Sequence, residues 1–267
     1  MKPALAFRQP HYPKNWQDLP SGDTILSAID ERLQPWWESF FGYHLLKIGA
    51  LSHSINTSNS PIKHKITCCL NKNTIKADHN DVNNQDTYIV GELDDLPILE
   101  HSVDVCLLSH VLEFSLDPHH VIREANRVLI PNGYFIITGF NPFSLAGLNR
   151  IIPYRKKQTP WNEHFFSPTR VKDWLHLMGF EILSDERFLQ SSLIGKTSKH
   201  SVDSYWQRSW QKIANRYFTS LGSVYIIIAK KRVLPLTPIK PKWKINTEFT
   251  PVKVPTMNVN SSNKTET

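Results

Sequence analysis

The stretch 89-IVGELDDLPILEHSVDVCLLSHVLEFSLDPHHVIREANRVLIPNGYFIITGFN-141 decides the fold. Its apolar runs at 88–91, 103–109 (VDVCLLS) and 134–138 (YFIIT) are short, rich in β-branched and aromatic residues, and flanked by Gly, Pro, Asn and Asp. That is strand composition. Only Asp104 interrupts the 103–109 run, so this strand is expected in the middle of a parallel sheet, covered on both faces. Between the last two strands Val121, Ile122, Ala125, Val128 and Leu129 recur at helical spacing. Asp117 is the expected N-cap and Pro118 the first helical residue. The aspartate accepts from an orphaned backbone N–H, and proline has no N–H to lose there. Pro131-Asn132-Gly133 reads as the turn into the next strand. Strand, turn, strand, helix, turn, strand predicts an open α/β sheet with a ligand crevice outside the carboxyl ends of its strands.

Outward from this stretch the pattern continues. Residues 43–49 (YHLLKIG) and 65–70 (KITCCL) read as two earlier buried strands. Residues 71–87 are polar and lack an apolar period, which predicts a long loop or frayed helix. Residues 22–41 carry Ile25, Leu26, Ile29 and Leu33 as a helical stripe, which Pro35 is expected to end or kink. The aromatic knot Trp36, Trp37, Phe40 and Phe41 reads as a staple docking this N-terminal helix, or as a lid over substrate. Downstream, Ser167-Pro168 repeats the cap-then-proline start, and Gly179 closes that helix ahead of a strand at 180–184. A helix is expected at 203–220 and a last apolar strand at 223–229 (SVYIIIA). From residue 233 the prolines 235, 238, 241, 251 and 255 and a polar end predict a disordered, basic, Pro-rich tail. The expected organisation is therefore 1–42 as an N-terminal helical extension, 43–232 as the main domain and 233–267 as the tail.

The chain has 267 residues, 40% of them hydrophobic, enough for one core. No run approaches the roughly 20 apolar residues that span a bilayer, and the first residues lack the apolar region of a secretory signal. Neither membrane insertion nor secretion is expected. Cys68, Cys69 and Cys106 have neither a disulfide framework nor a zinc spacing, which suits a reduced cytoplasmic setting. His119-His120 is no metal pair, because adjacent helical side chains diverge and no further ligand completes the set. A net charge of +7, with Arg150, Arg155, Lys156 and Lys157 close together, admits anionic small molecules or nucleic acid as partners without naming either. There is no Gly-x-Ser-x-Gly elbow and no phosphate-cradling loop.

Five ordered matches carry a family resemblance: Gly91-Glu92-Leu93-Asp94-Asp95-Leu96-Pro97, Val103-Asp104-Val105, Leu112-Glu113-Phe114, Asp117-Pro118, and Arg127-Val128-Leu129-Ile130-Pro131-Asn132-Gly133. The chain resembles the type-11 branch of class I S-adenosylmethionine-dependent methyltransferases. The resemblance implies a Rossmann-like α/β fold: a seven-stranded, mostly parallel sheet with helices on both faces. It implies S-adenosyl-L-methionine as cofactor and an unidentified small-molecule methyl acceptor. Residue by residue, Glu92 falls where the family meets the adenine amino group, and the Leu93 amide where it meets a ring nitrogen. Ser109, His110 and Val111 would line the methionine side and the substrate entrance. His110 is the candidate general base; as a loop histidine it would instead bond the backbone. Of the family's acidic residue and Gly-x-Gly-x-Gly, this chain keeps only Gly49. Lys47 replaces the acid and would pair with the cofactor carboxylate or reach solvent. Asn71 stands where the family has an acid for the ribose hydroxyls. Asn141-Pro142-Phe143 resembles the Asn-Pro-Pro-aromatic motif of amine methylation, which makes Asn141 and Phe143 candidate substrate contacts, or else a turn over the rim. The eroded glycines leave a second reading open, a non-catalytic binding or scaffold protein on the same fold.

Overall fold

A computed structural model describes residues 12–70, 86–149, 159–189, 193 and 222–232. The expected helix at 203–220, the tail from 233, and residues 71–85 of the polar connection lie outside these. Among the described residues the chain runs through a single 3-10 turn at Trp16–Asp18, α1 (Gly22–Trp37), β1 (His44–Ile48), α2 (Ala50–His53), β2 (His64–Cys69), β3 (Thr87–Val90) and β4 (Val103–Ser109). It continues with α3 (Pro118–Val128), β5 (Leu129–Phe140), α4 (Leu145–Leu148), α5 (Pro168–Leu177), β6 (Phe180–Phe188) and β7 (Val224–Lys231). The strands form one seven-stranded sheet in the order β3-β2-β1-β4-β5-β7-β6. Pairings from β3 through β5 are parallel, and β7 runs antiparallel to both β5 and β6.

Side chains alternate across each strand, so the sheet has two apolar faces. Leu46, Ile48, Cys106, Leu108, Phe135, Ile137 and Ile227 face α3 and α5 and pack on Val121, Ile122, Ala125, Val171 and Leu175. Leu45, Val105, Leu107, Ile136 and Ile226 face the other way and pack on Ile25, Ile29, Leu33 and Trp37 of α1. The N-terminal helix thus covers one face of the sheet. Trp37 and Phe40 are buried edge to face with centroids 5.7 Å apart, while Phe41 is 73% exposed. The aromatic knot is the staple.

Local chemistry sets the joints. Asp117 Oδ1 accepts from the His120 N–H at 3.0 Å and Ser167 Oγ from the Arg170 N–H at 3.3 Å, so both cap-then-proline starts form. Asp104, the polar residue of the central strand, accepts from the N–H groups of Tyr43 and His44 at 2.8 and 2.9 Å and ties the start of β1 to β4. Arg127 donates to the carbonyls of Leu96 and Ile98, both at 2.9 Å, while its partner Glu124 accepts from the Leu96 N–H. The acidic-then-proline loop is thereby clamped to α3.

Three expectations change. Pro35 does not end α1 at once: the helix runs two residues further, to Trp37, without the bond that an N–H at position 35 would have made to the Glu31 carbonyl. Pro131-Asn132-Gly133 is no separate turn. β5 begins at Leu129 and absorbs these residues as a bulge between the Val103–Leu129 and Val105–Tyr134 pairs, with Asn132 left-handed at φ 64°. β6 runs on to Phe188, since β7 offers a partner along its whole length.

Candidate active site

The strand order reverses between β1 and β4. In an open α/β sheet the crevice at such a switch lies outside the carboxyl ends, here Gly49 and His110.

On the β1 side, Gly49 has φ +86°, and a Cβ there would stand 2.7 Å from Val111 Cγ2. Only glycine suits this corner. Leu93 is its other apolar neighbour; Leu51 turns away into the α1 face. Glu92, at the end of β3, is exposed. Ser109 is fully buried; its N–H donates to Ser52 Oγ at 2.9 Å and its hydroxyl bonds Thr138 Oγ1 at 2.8 Å. Its side chain is committed to the sheet.

Lys47 corrects an expectation. Its side chain is 3% exposed, so it does not reach solvent. Its ammonium bonds the carbonyls of His53 and Ile55, both at 3.2 Å, and pairs with Asp86 Oδ2 at 3.3 Å. These three acceptors use its three protons, leaving none for a cofactor carboxylate. Burial lowers the Lys47 pKa, and Asp86 works against that shift. The lysine instead anchors the chain that leaves α2. Asn71 lies outside the described residues.

On the β4 and β5 side, His110 is a non-glycine residue at φ 49°. Such strain persists where the surroundings enforce it, often at functional sites. Its ring is buried between Trp16, at 5.6 Å edge to face, and Phe140, at 4.2 Å. Neither ring nitrogen makes a hydrogen bond among the described residues; Glu113 Oε1 lies 3.5 Å from Nδ1. The backbone-bonded alternative for this side chain therefore does not hold. Glu113 Oε1 accepts the Phe140 N–H at 2.7 Å, and Oε2 makes no hydrogen bond among the described residues. Trp16 holds its place by donating from Nε1 to the Leu51 carbonyl at 3.0 Å.

Asn141 is buried and its amide is spent on the backbone: Nδ2 donates to the Gly222 carbonyl at 2.9 Å and Oδ1 accepts the Phe143 N–H at 3.1 Å. It pins the end of β5 to the start of β7 and is not offered to a substrate. Phe143 is 72% exposed. Sequence reasoning missed Trp16, Asp86 and Tyr225 as neighbours of this rim. An isolated glycine inside a strand, Gly139, was the available pointer to Tyr225, because such a glycine marks close approach by another group.

Residues 48–137 match the family model described as "Methyltransferase domain". The chain is 35% identical over 237 residues to the Escherichia coli (strain K12) "Uncharacterized protein YafS", covering 89% of this chain and 88% of that one. The chain belongs to the type-11 branch of class I S-adenosylmethionine-dependent methyltransferases. The methyltransferase is also 22% identical over 149 residues to a demethylmenaquinone methyltransferase of Chlamydia pneumoniae, covering 55% of this chain and 59% of that one. Among solved structures, a SAM-dependent methyltransferase from Archaeoglobus fulgidus superposes with a TM-score of 0.54 at 20% identity, over 77% of this chain and 94% of that one. The scaffold reading is not favoured by these relatives.

The cofactor of this family is S-adenosyl-L-methionine, and the methyltransferase's rim suits it chemically. Gly49 presents bare backbone against Val111, Leu93 and Val111 supply apolar walls, and Glu92 supplies an exposed carboxylate. No cluster of metal-ligating side chains occurs among the described residues.

Proposed function

We propose that the enzyme methylates a small-molecule acceptor whose nucleophilic atom must shed a proton, with His110 as the general base. When bound, S-adenosylmethionine supplies an electrophilic methyl on a sulfonium; the acceptor's lone pair forms the new bond as the C–S pair returns to sulfur. Gly49, Leu93, Val111 and Glu92 would hold the cofactor at the switch point. His110 would take the acceptor's proton on Nε2 while Nδ1–H faces Glu113, so the imidazolium forms beside a carboxylate. Trp16 and Phe140, with Phe165 stacked on Phe140 at 5.1 Å, would exclude water from this step. The observation that carries the reading is a buried, strained imidazole with both nitrogens unspent.

A small acceptor is favoured over nucleic acid because the base is buried beneath Trp16 and not set on an open surface. The division into 1–42, 43–232 and 233–267 belongs to the same proposal. So does a cytoplasmic setting, which the free, buried thiols of Cys68, Cys69 and Cys106 support. No helix among the described residues is long and apolar enough to cross a membrane.

Calorimetry with S-adenosylhomocysteine tests the cofactor site, and transfer of labelled methyl to small molecules of a cell extract tests the reaction. His110→Ala should keep cofactor-product affinity and lose about 100-fold in labelled product. Equal labelling by wild type and variant would remove His110 as base. Labelling of RNA or DNA in place of small molecules would overturn the acceptor class.

A further inference from the structure

Behind His110 lies a second set of buried polar atoms that the proposed reaction has not used. Gly139 of β5 pairs across the sheet with Tyr225 of β7, whose ring folds over the glycine. A Cβ on Gly139 would collide with Tyr225 Oη and crowd Glu113 Oε1, so these two oxygens meet over the bare backbone. Tyr225 is fully buried and its hydroxyl makes no hydrogen bond among the described residues. Glu113 Oε2 and both nitrogens of His110 share that condition. Buried polar atoms without partners are costly, and a group of them in one place is a reason to look for a ligand.

We propose that Tyr225, Glu113 and His110 form a hydroxyl-binding triad, which makes the methyl acceptor of this enzyme an alcohol or a phenol. The inference rests on the methyltransferase reading and specifies its substrate class. The argument is one of lone pairs. Burial, reinforced by Glu113 and Asp185, raises the Tyr225 pKa well above its ordinary value, so this group is a neutral O–H donor at neutral pH. An acceptor oxygen has two lone pairs: one takes the Tyr225 hydrogen bond and the other attacks the methyl. An amine nitrogen has one, and a hydrogen bond from Tyr225 would occupy the pair that must react. The acceptor O–H goes to His110 Nε2, the O–CH3 bond forms, the C–S bond breaks, and its electron pair stays on sulfur. Glu113 is a positioning residue. Its Oε1 holds the Phe140 N–H and stands 3.5 Å from His110 Nδ1, so the carboxylate favours the tautomer with the proton on Nδ1, which leaves Nε2 basic.

The test uses phenol and aniline as probes, titrated into the full chain with S-adenosylhomocysteine present. Phenol should bind at least about tenfold tighter than aniline, and Tyr225→Phe should cost phenol about tenfold while leaving S-adenosylhomocysteine affinity unchanged. Nitrogen-15 NMR of the free protein should show His110 protonated at Nδ1, and Glu113→Gln should give a mixture of tautomers. A purely structural Glu113 would leave that signature unmoved. Phenol affinity unaffected by Tyr225→Phe, aniline binding as tight as phenol, or an unchanged tautomer in Glu113→Gln would each overturn the triad. Failure of S-adenosylhomocysteine to bind strikes the methyltransferase reading instead; phenol titrated into the free protein and the His110 tautomer then still decide the triad.

Discussion

Lys47 shows how one side chain changes meaning once its neighbours are known. It follows two leucines and precedes the glycine corner, where a cation could serve a ligand. The fold gives it Asp86 and two carbonyls instead. Removing one partner of a buried pair leaves the other charge uncompensated, so Asp86→Asn should cost about 3–5 kcal/mol in urea unfolding. Replacing both, Lys47→Met with Asp86→Leu, should cost much less, because no charge is then stranded. A second residue-scale prediction concerns Glu124, whose pKa the hydrogen bonds from Arg127 hold below the ordinary glutamate range. A carboxylate lowered in the folded state stabilises it above its unfolded pKa, and that contribution fades as pH falls through the folded value. The Tm deficit of Glu124→Gln should therefore be full at pH 7 and close as the pH is taken below about 4. Persistence of the deficit in strong acid would mean that packing, not charge, is what the substitution removes. The buried thiols give a third: burial pushes Cys68 up to about 12 and Cys69 up to about 11, so neither should react with iodoacetamide at neutral pH in the folded protein.

At the scale of elements, α3 and β5 do the most to place the site. α3 starts on the Asp117 cap, and its Arg127 clamps the loop that follows Glu92. Asp117→Ala should cost about 1 kcal/mol, read as a shift of the urea midpoint at constant slope. β5 ends in Thr138-Gly139-Phe140, and each residue serves a neighbour: Thr138 bonds Ser109, Gly139 admits Tyr225, and the Phe140 N–H holds Glu113. Gly139→Ala should displace the tyrosine ring and cost about 1–3 kcal/mol by overpacking. A stability equal to wild type would show that the ring has room to spare and that the Glu113–Tyr225 approach is not enforced. Element identity was open to reading because apolar period and cap chemistry are local. The merger of residues 129–133 into β5 was not, since a Pro-Asn-Gly turn and a left-handed bulge share the same residues and only pairing with β4 distinguishes them.

For the whole molecule, the reversal of strand order between β1 and β4 brings residues more than 60 positions apart, Gly49 and His110, to one rim. If the rim binds cofactor product only when folded, S-adenosylhomocysteine should raise the unfolding free energy with the logarithm of its concentration, by about 2.7 kcal/mol at a hundredfold excess over Kd, and raise the Tm with it. A flat response would show that the corner formed by Gly49, Val111 and Leu93 does not open to it.

The order of elements, the caps, the central buried strand and the family all lay in the sequence, because each is written in contiguous residues or in fixed spacings. The site was only half legible there. Gly49, Glu92 and His110 stand out by motif position as candidates. The burial of Lys47 against Asp86, the spending of Asn141 on Gly222, and the meeting of Glu113 with Tyr225 over Gly139 could not. Those are contacts between strands and loops distant in sequence. Which partner a charged or polar side chain finds depends on what the closed sheet places beside it, and no local pattern encodes that.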